Sequence, residues 1–190
     1  MKSLLLIFLL IVSLSCKKEN TAQEKIVATD TITTKQEEVI TEHVVEESTF
    51  DFAKETIGGW LRIGTDEATV KEKLGTDFKT SINEYSQVTG YYEQEWLYEK
   101  QGIKIVMEAE NPEAKKTVAQ ITVLAASKLK TSKNIGIGSA QKDILSAYHG
   151  HINTEEATDN TIIVGSIYEG LFFTLKNNKV SEIFIGAIAE

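Results

Sequence analysis

Two stretches of this chain match each other, and that match limits its possible folds more than any other feature. Residues 63–75 read Ile-Gly-Thr-Asp-Glu-Ala-Thr-Val-Lys-Glu-Lys-Leu-Gly. Residues 137–150 read Ile-Gly-Ser-Ala-Gln-Lys-Asp-Ile-Leu-Ser-Ala-Tyr-His-Gly, with His149 as one extra residue. Self-similarity of this kind signals a unit used more than once. Val70 and Leu74 are four apart, as are Ile144 and Tyr148, so each stretch predicts a short helix with one apolar face. Thr65 and Ser139 are placed as hydroxyl N-caps. Asp66 and Glu67 suit the positive end of the helix dipole, and Gly75 and Gly150 serve as stops.

The segments that follow match as well. Val118 to Ala125 aligns with Val180 to Ala187, and alternation puts Ile121, Val123 and Ala125 on one side and Ile183, Ile185 and Ala187 on the equivalent side. Strands are also predicted at Ile103 to Met107 and at Leu171 to Leu175. Lys176-Asn-Asn-Lys179 and the region of Asn111-Pro112 read as turns. Phe50 to Ile57 is expected to add a helix at the front. The expectation is an α+β fold of two tandem repeats, residues 50–127 and 128–190. Each would be a short helical segment packed on an antiparallel meander of roughly three or four strands. Units of that size are marginal alone, which argues for packing side by side.

The pattern Gly-(Ser/Thr), an apolar pair four apart, Gly, an aromatic strand and then Val-x-x-Ile-x-(Val/Ile) resembles two related groups. One is the SmpA/OmlA small outer-membrane lipoproteins, accessory parts of the β-barrel assembly machine. Gly64, Thr65, Val70, Leu74, Gly75, Trp96 and Tyr98 fall on that group's helix-and-aromatic-strand pattern. The other is the β-lactamase-inhibitor-protein-like fold, built from two tandem copies of such a unit, and the doubling here is closer to it. The resemblance covers about residues 57–190 and implies an architecture and a protein-binding role rather than a chemistry.

The front of the chain is of another kind. Residues 1–15 combine Lys2 with an unbroken apolar run from Leu4 to Val12 and the small residues Ser13 and Ser15, the layout of a secretory signal peptide. The run is too short to span a bilayer. Leu14-Ser15-Cys16 resembles the lipobox of bacterial lipoproteins, with Ser13 where an aliphatic residue is usual. That resemblance implies cleavage before Cys16, diacylglycerol on its sulfur and an acylated new amine. Two or three chains at about 0.8 kcal/mol per buried methylene anchor firmly. The chain is therefore expected in the cell envelope, attached to a membrane through lipid on Cys16, at the outer membrane on its periplasmic or surface face.

Residues 17–49 hold four lysines and eight acids, and no glycine, proline or aromatic. They cannot bury enough apolar surface to offset ordering, so 16–49 reads as the lipidated cysteine and a disordered tether. As a flexible coil it would place its ends roughly 30 Å apart. Lys17-Lys18-Glu19 weakly resembles surface-export signals of some lipoproteins. Formal net charge is −8, and removal of residues 1–15 would leave it near −9. Such a chain repels phosphates and anionic lipid, which excludes nucleic acid as a partner. Cys16 is the only cysteine, so neither a disulfide within the chain nor a cysteine-rich zinc site can form.

No nucleophile elbow, zinc-binding helix pair, phosphate loop or calcium loop occurs, and no cofactor is implied. His149 and His151 are the one close histidine pair. With Glu155 or Asp159 they make a candidate metal site, but a pair two apart without a third fixed ligand reads more readily as two loop histidines. His43 lies in the tether. The aromatics carry the functional expectation. If Leu171, Phe173 and Leu175 face the helix, Phe172 faces away, as does Phe184 between Ile183 and Ile185. Trp96, Tyr98, Phe172 and Phe184 are the candidate anchors for a protein partner, unless packing of the two units buries them. The expected function is that of a lipid-anchored, non-enzymatic binding module, inhibitor-like, immunity-like or an envelope-assembly accessory. A small-ligand or metal-binding carrier, or an envelope enzyme, is the alternative.

Overall fold

A computed structural model describes residues 50–188. The signal-peptide, Cys16, tether and His43 readings lie outside them. A 3₁₀ turn at Phe52–Lys54 opens the described part. Then come α1 (Glu67–Leu74), β1 (Lys79–Thr80), β2 (Glu84–Tyr85), β3 (Tyr92–Tyr98), β4 (Ile103–Ala109) and β5 (Thr117–Val123). The second half holds α2 (Gln141–Ala147), β6 (Ile152–Thr158), β7 (Thr161–Gly165), β8 (Gly170–Lys176) and β9 (Lys179–Gly186).

The expected fold class is corrected here. The strands do not form two separate meanders under two helices. They form one antiparallel sheet of nine strands in the order β1, β3, β4, β5, β9, β8, β7, β6, with β2 also on β3. Only two short α-helices accompany it among the described residues. The reason lies in β5 and β9. These are the two segments whose sequences match, and each would have ended a meander as an apolar edge strand. They pair with each other instead, Ile121 against Ile185, Thr122 against Phe184 and Val123 against Ile183. The pairing removes two exposed edges at once.

Alternation then writes whole rows across the sheet. Trp96, Ile105, Ile121, Ile185, Leu171, Val164 and Ile152 stand directly opposite one another from β3 to β6. A second row on the same face runs through Tyr98, Ile103, Val123, Ile183, Phe173 and Ile162. These residues, with Val70 of α1 and with Ile144 and Tyr148 at α2, belong to one hydrophobic core. Position 127 therefore does not separate two cores.

The matched sequences do impose matched local bonding. Gly64 N–H donates to Val118 O at 2.8 Å and Val118 N–H to Thr65 O at 2.9 Å. Gly138 N–H donates to Val180 O at 2.8 Å and Val180 N–H to Ser139 O at 2.9 Å. Gly64 and Gly138 sit at φ of 79° and 85°, where a side chain is strained. Both turns are thus pinned to a valine of the strand that reaches the sheet centre.

The cap assignment shifts by one residue. Thr65 Oγ1 accepts from Arg62 N–H at 3.1 Å and Ser139 Oγ from Gly136 N–H at 3.0 Å, so both hydroxyls close the turn before the helix. The helix caps are Asp66, whose Oδ1 accepts from Thr69 N–H, and Ala140, whose N–H donates to Asp143 Oδ2. The hydroxyls serve the turn because the preceding glycine directs the chain back over it.

Candidate partner-binding surface

Trp96 and Tyr98 do not present themselves to a partner. They are 3 % and 0 % exposed, on the face that α1 covers. Phe78 stacks on Trp96 at 4.5 Å between ring centroids, Lys71 Nζ lies 5.0 Å over the same ring, and the indole N–H donates to Gln94 Oε1 at 3.0 Å. The Tyr98 hydroxyl donates to Gly75 O at 3.3 Å, and burial pushes its pKa up to about 12. The two aromatics tie the end of α1 to β3, which is packing rather than recognition.

Phe172 and Phe184 do lie on the opposite face, as alternation required. Their rings are 5.6 Å apart at 50°. Phe172 is 2 % exposed, whereas Phe184 is half-buried, with its ring against Gly186. The row they belong to crosses the sheet from Leu97 through Lys104, Thr122, Phe184, Phe172 and Ile163 to Asn153. No described helix belongs to this face. Half-buried Leu97, Val106 and Phe184 stand on it among Glu95, Lys104 and Glu182. Of the four expected anchors, Phe184 alone keeps substantial exposure.

The sequence reading missed Ile82, Tyr85 and Val88, exposed apolar residues at one end of the sheet that also carries Tyr91. Ile82 is 72 % exposed, Val88 66 %, Tyr85 55 % and Tyr91 39 %. The available signal was their isolation, since these apolar residues are scattered through a Ser-, Asn-, Gln- and Gly-rich stretch without helical or strand period. Beside them runs a groove of about 390 Å³. On the sheet face away from the helices, Glu84, Glu93 and Glu108 stand directly opposite one another on β2, β3 and β4. Burial, with Glu93 as a like-charged neighbour, holds the Glu108 carboxyl above its usual range.

The histidine pair is split. His149 is exposed in the turn after α2, and His151 is half-buried against Phe50 at 5.9 Å. His151 lines an open cavity of about 560 Å³ with Asn153, Glu155 and Glu169, while His149 and Asp159 do not reach it. Among the described residues no three histidine, cysteine or acidic side chains converge as metal ligands.

Glu55, a buried acid that sequence reasoning passed over, is the centre of a hydrogen-bond network. Its Oε1 accepts from Thr56 N–H at 3.0 Å and Ser132 N–H at 2.7 Å, and its Oε2 from Ser132 Oγ at 2.9 Å and Tyr148 Oη at 3.2 Å. Both its oxygens are used, so it holds chain segments together. Burial drives the Tyr148 hydroxyl well above its ordinary pKa.

Comparison with family models, with curated proteins and with solved structures finds no match. The likeness to the small outer-membrane lipoproteins and to the inhibitor-type fold rests on the quoted residues alone.

Proposed function

We propose that the chain is a lipid-anchored, non-enzymatic protein-binding module of the bacterial cell envelope. Lipid on Cys16 holds it to the outer membrane, and the folded part engages another protein. The partner is an exported enzyme that it inhibits or neutralises, or an envelope-assembly component that it assists. One observation carries this reading. The sheet has a helix-covered face and a second face where half-buried Leu97, Val106 and Phe184 are interspersed with charge. A broad surface mixing apolar and charged side chains suits a protein partner.

The test is photo-crosslinking from Leu97 or Phe184 in the full chain in intact cells. A discrete protein adduct from these positions, absent from a solvent-facing control such as Lys142, supports the module. No adduct from any position on this face rejects it. Anchorage is read separately, by metabolic labelling with an alkyne fatty acid, which Cys16→Ser should abolish.

The cavity beside His151 favours a second reading, a small-ligand carrier. A ligand recovered from purified protein and lost with His151→Ala would shift the weight to it.

A further inference from the structure

The end of the sheet at residues 81–95 combines two properties. The first is exposed apolar surface at Ile82, Tyr85, Val88 and Tyr91, more than isolated side chains require. The second is negative charge beside it. The groove there is lined by Ile82, Tyr85, Glu84, Glu93, Glu95 and Val106, among others. Like charges opposed across a ladder cost stability, yet Glu84, Glu93 and Glu108 occupy three successive cross-strand positions. Among the described residues, ion pairs use Lys54, Lys71, Lys73, Lys79, Lys100 and Lys104. Lys104 pairs with Glu95 of the groove at 3.4 Å, and none of these ion pairs among the described residues involves Glu84, Glu93 or the neighbouring Glu108.

We propose that this hairpin end is the docking surface for an extended, lysine- or arginine-bearing segment of a partner protein in which basic and apolar side chains alternate. The inference rests on the binding-module reading and names the chemistry of its partner. Successive side chains of an extended segment point to opposite sides, so alternation along this strand edge meets Tyr85 on one side of the sheet and Glu84 and Glu93 on the other. Its apolar side chains pack on Ile82 and Tyr85. Its cations neutralise Glu84, Glu93 and Glu108, which relieves the like-charge strain that folding leaves in place. A second copy of this acidic chain, an anionic lipid surface and nucleic acid are all disfavoured by the same charges.

The test titrates the full mature chain, lipidated and in detergent, against a short fluorescent peptide of alternating lysine and leucine. A peptide with glutamate in place of lysine is the control. Saturable binding of the lysine peptide is expected. Glu84→Gln with Glu93→Gln, and separately Tyr85→Ser, should each weaken it by about tenfold or more. Glu72→Gln with Glu156→Gln, exposed on α1 and on the opposite edge strand, removes the same charge and should change nothing. Thermal melts monitor folding, and Tyr85→Ser alters a side chain more than half exposed. Absence of saturable binding overturns the proposal. So does equal loss from the distant pair, which would mean attraction by net charge alone, or retention of full affinity in the groove variants. A crosslinked envelope partner indifferent to the groove variants would leave the module reading intact and reject this surface.

Discussion

The hydroxyl of Tyr148 donates to Oε2 of Glu55 at 3.2 Å, between residues 93 positions apart. Through the same carboxylate, the turn that opens the described chain is bonded to Ser132 in the loop before α2. A polar contact at the end of a helix thus fastens the beginning of one half of the chain to the other half.

Glu55→Ala would leave the buried Tyr148 hydroxyl and the part-buried Ser132 N–H without their acceptor. We expect a loss of about 2–4 kcal/mol, at the upper end because the acceptor is charged. Tyr148→Phe should cost less, about 1–2 kcal/mol, because only one bond to the carboxylate disappears. Urea unfolding of both variants checks the order. Equal midpoints would mean the network contributes nothing.

Tyr98 makes the fold sensitive to alkali. Its ordinary pKa is 10.0, the value it takes in the unfolded chain, but burial in the fold holds it neutral to about 12. The folded state therefore keeps a proton that the unfolded chain has released. This contribution is intact below pH 10.0 and is lost as pH rises towards about 12. Thermal melts over that interval should show falling stability, and Tyr98→Phe should flatten part of the fall. Tyrosinate absorbance should show a delayed titration that the variant loses.

Phe172 and Phe184 touch each other but should respond differently to truncation. Phe172→Ala empties a site that is 2 % exposed and should cost about 3–5 kcal/mol. Phe184 is only half-buried, and Phe184→Ala should cost about 1–2 kcal/mol, in proportion to the smaller area withdrawn from water. Chemical denaturation of the two variants distinguishes them. Equal large losses would show that Phe184 is a core residue, unsuited to meeting a partner.

The β8–β9 turn offers a stabilising change. Asn177 and Asn178 sit at φ of 55° and 58°, the left-handed conformation that a two-residue hairpin turn demands. Asn178→Gly should gain a few tenths of a kcal/mol, and Asn178→Val should lose about 1–2 kcal/mol. A rise in melting temperature with valine would contradict the turn geometry.

Much of the local structure is legible in the sequence. The spacing of Val70 with Leu74 and of Ile144 with Tyr148 marks both helices, because one turn of helix brings residues four apart onto one face. Alternation at Ile121 and Val123, and at Ile183 and Ile185, selects the buried side of two strands, and the paired asparagines mark the hairpin that leads into the second. The site was less legible. Trp96 and Tyr98 have the composition of interface anchors, but identical side chains serve as core when a helix lies over them. Ile82 and Val88 carry no periodicity, so only their isolation in a polar, Gly-containing stretch points to their exposure.

The sequence by itself determined which residues turn, which alternate and which lie beside one another on a short helix, since those follow from neighbours a few bonds away. Tertiary structure alone decided that β5 pairs with β9 in a single sheet, that Glu55 reaches Tyr148, and that three glutamates share one cross-strand row. Each of these joins groups distant along the chain. Their register depends on edges, faces and burial that exist only once the whole sheet has assembled.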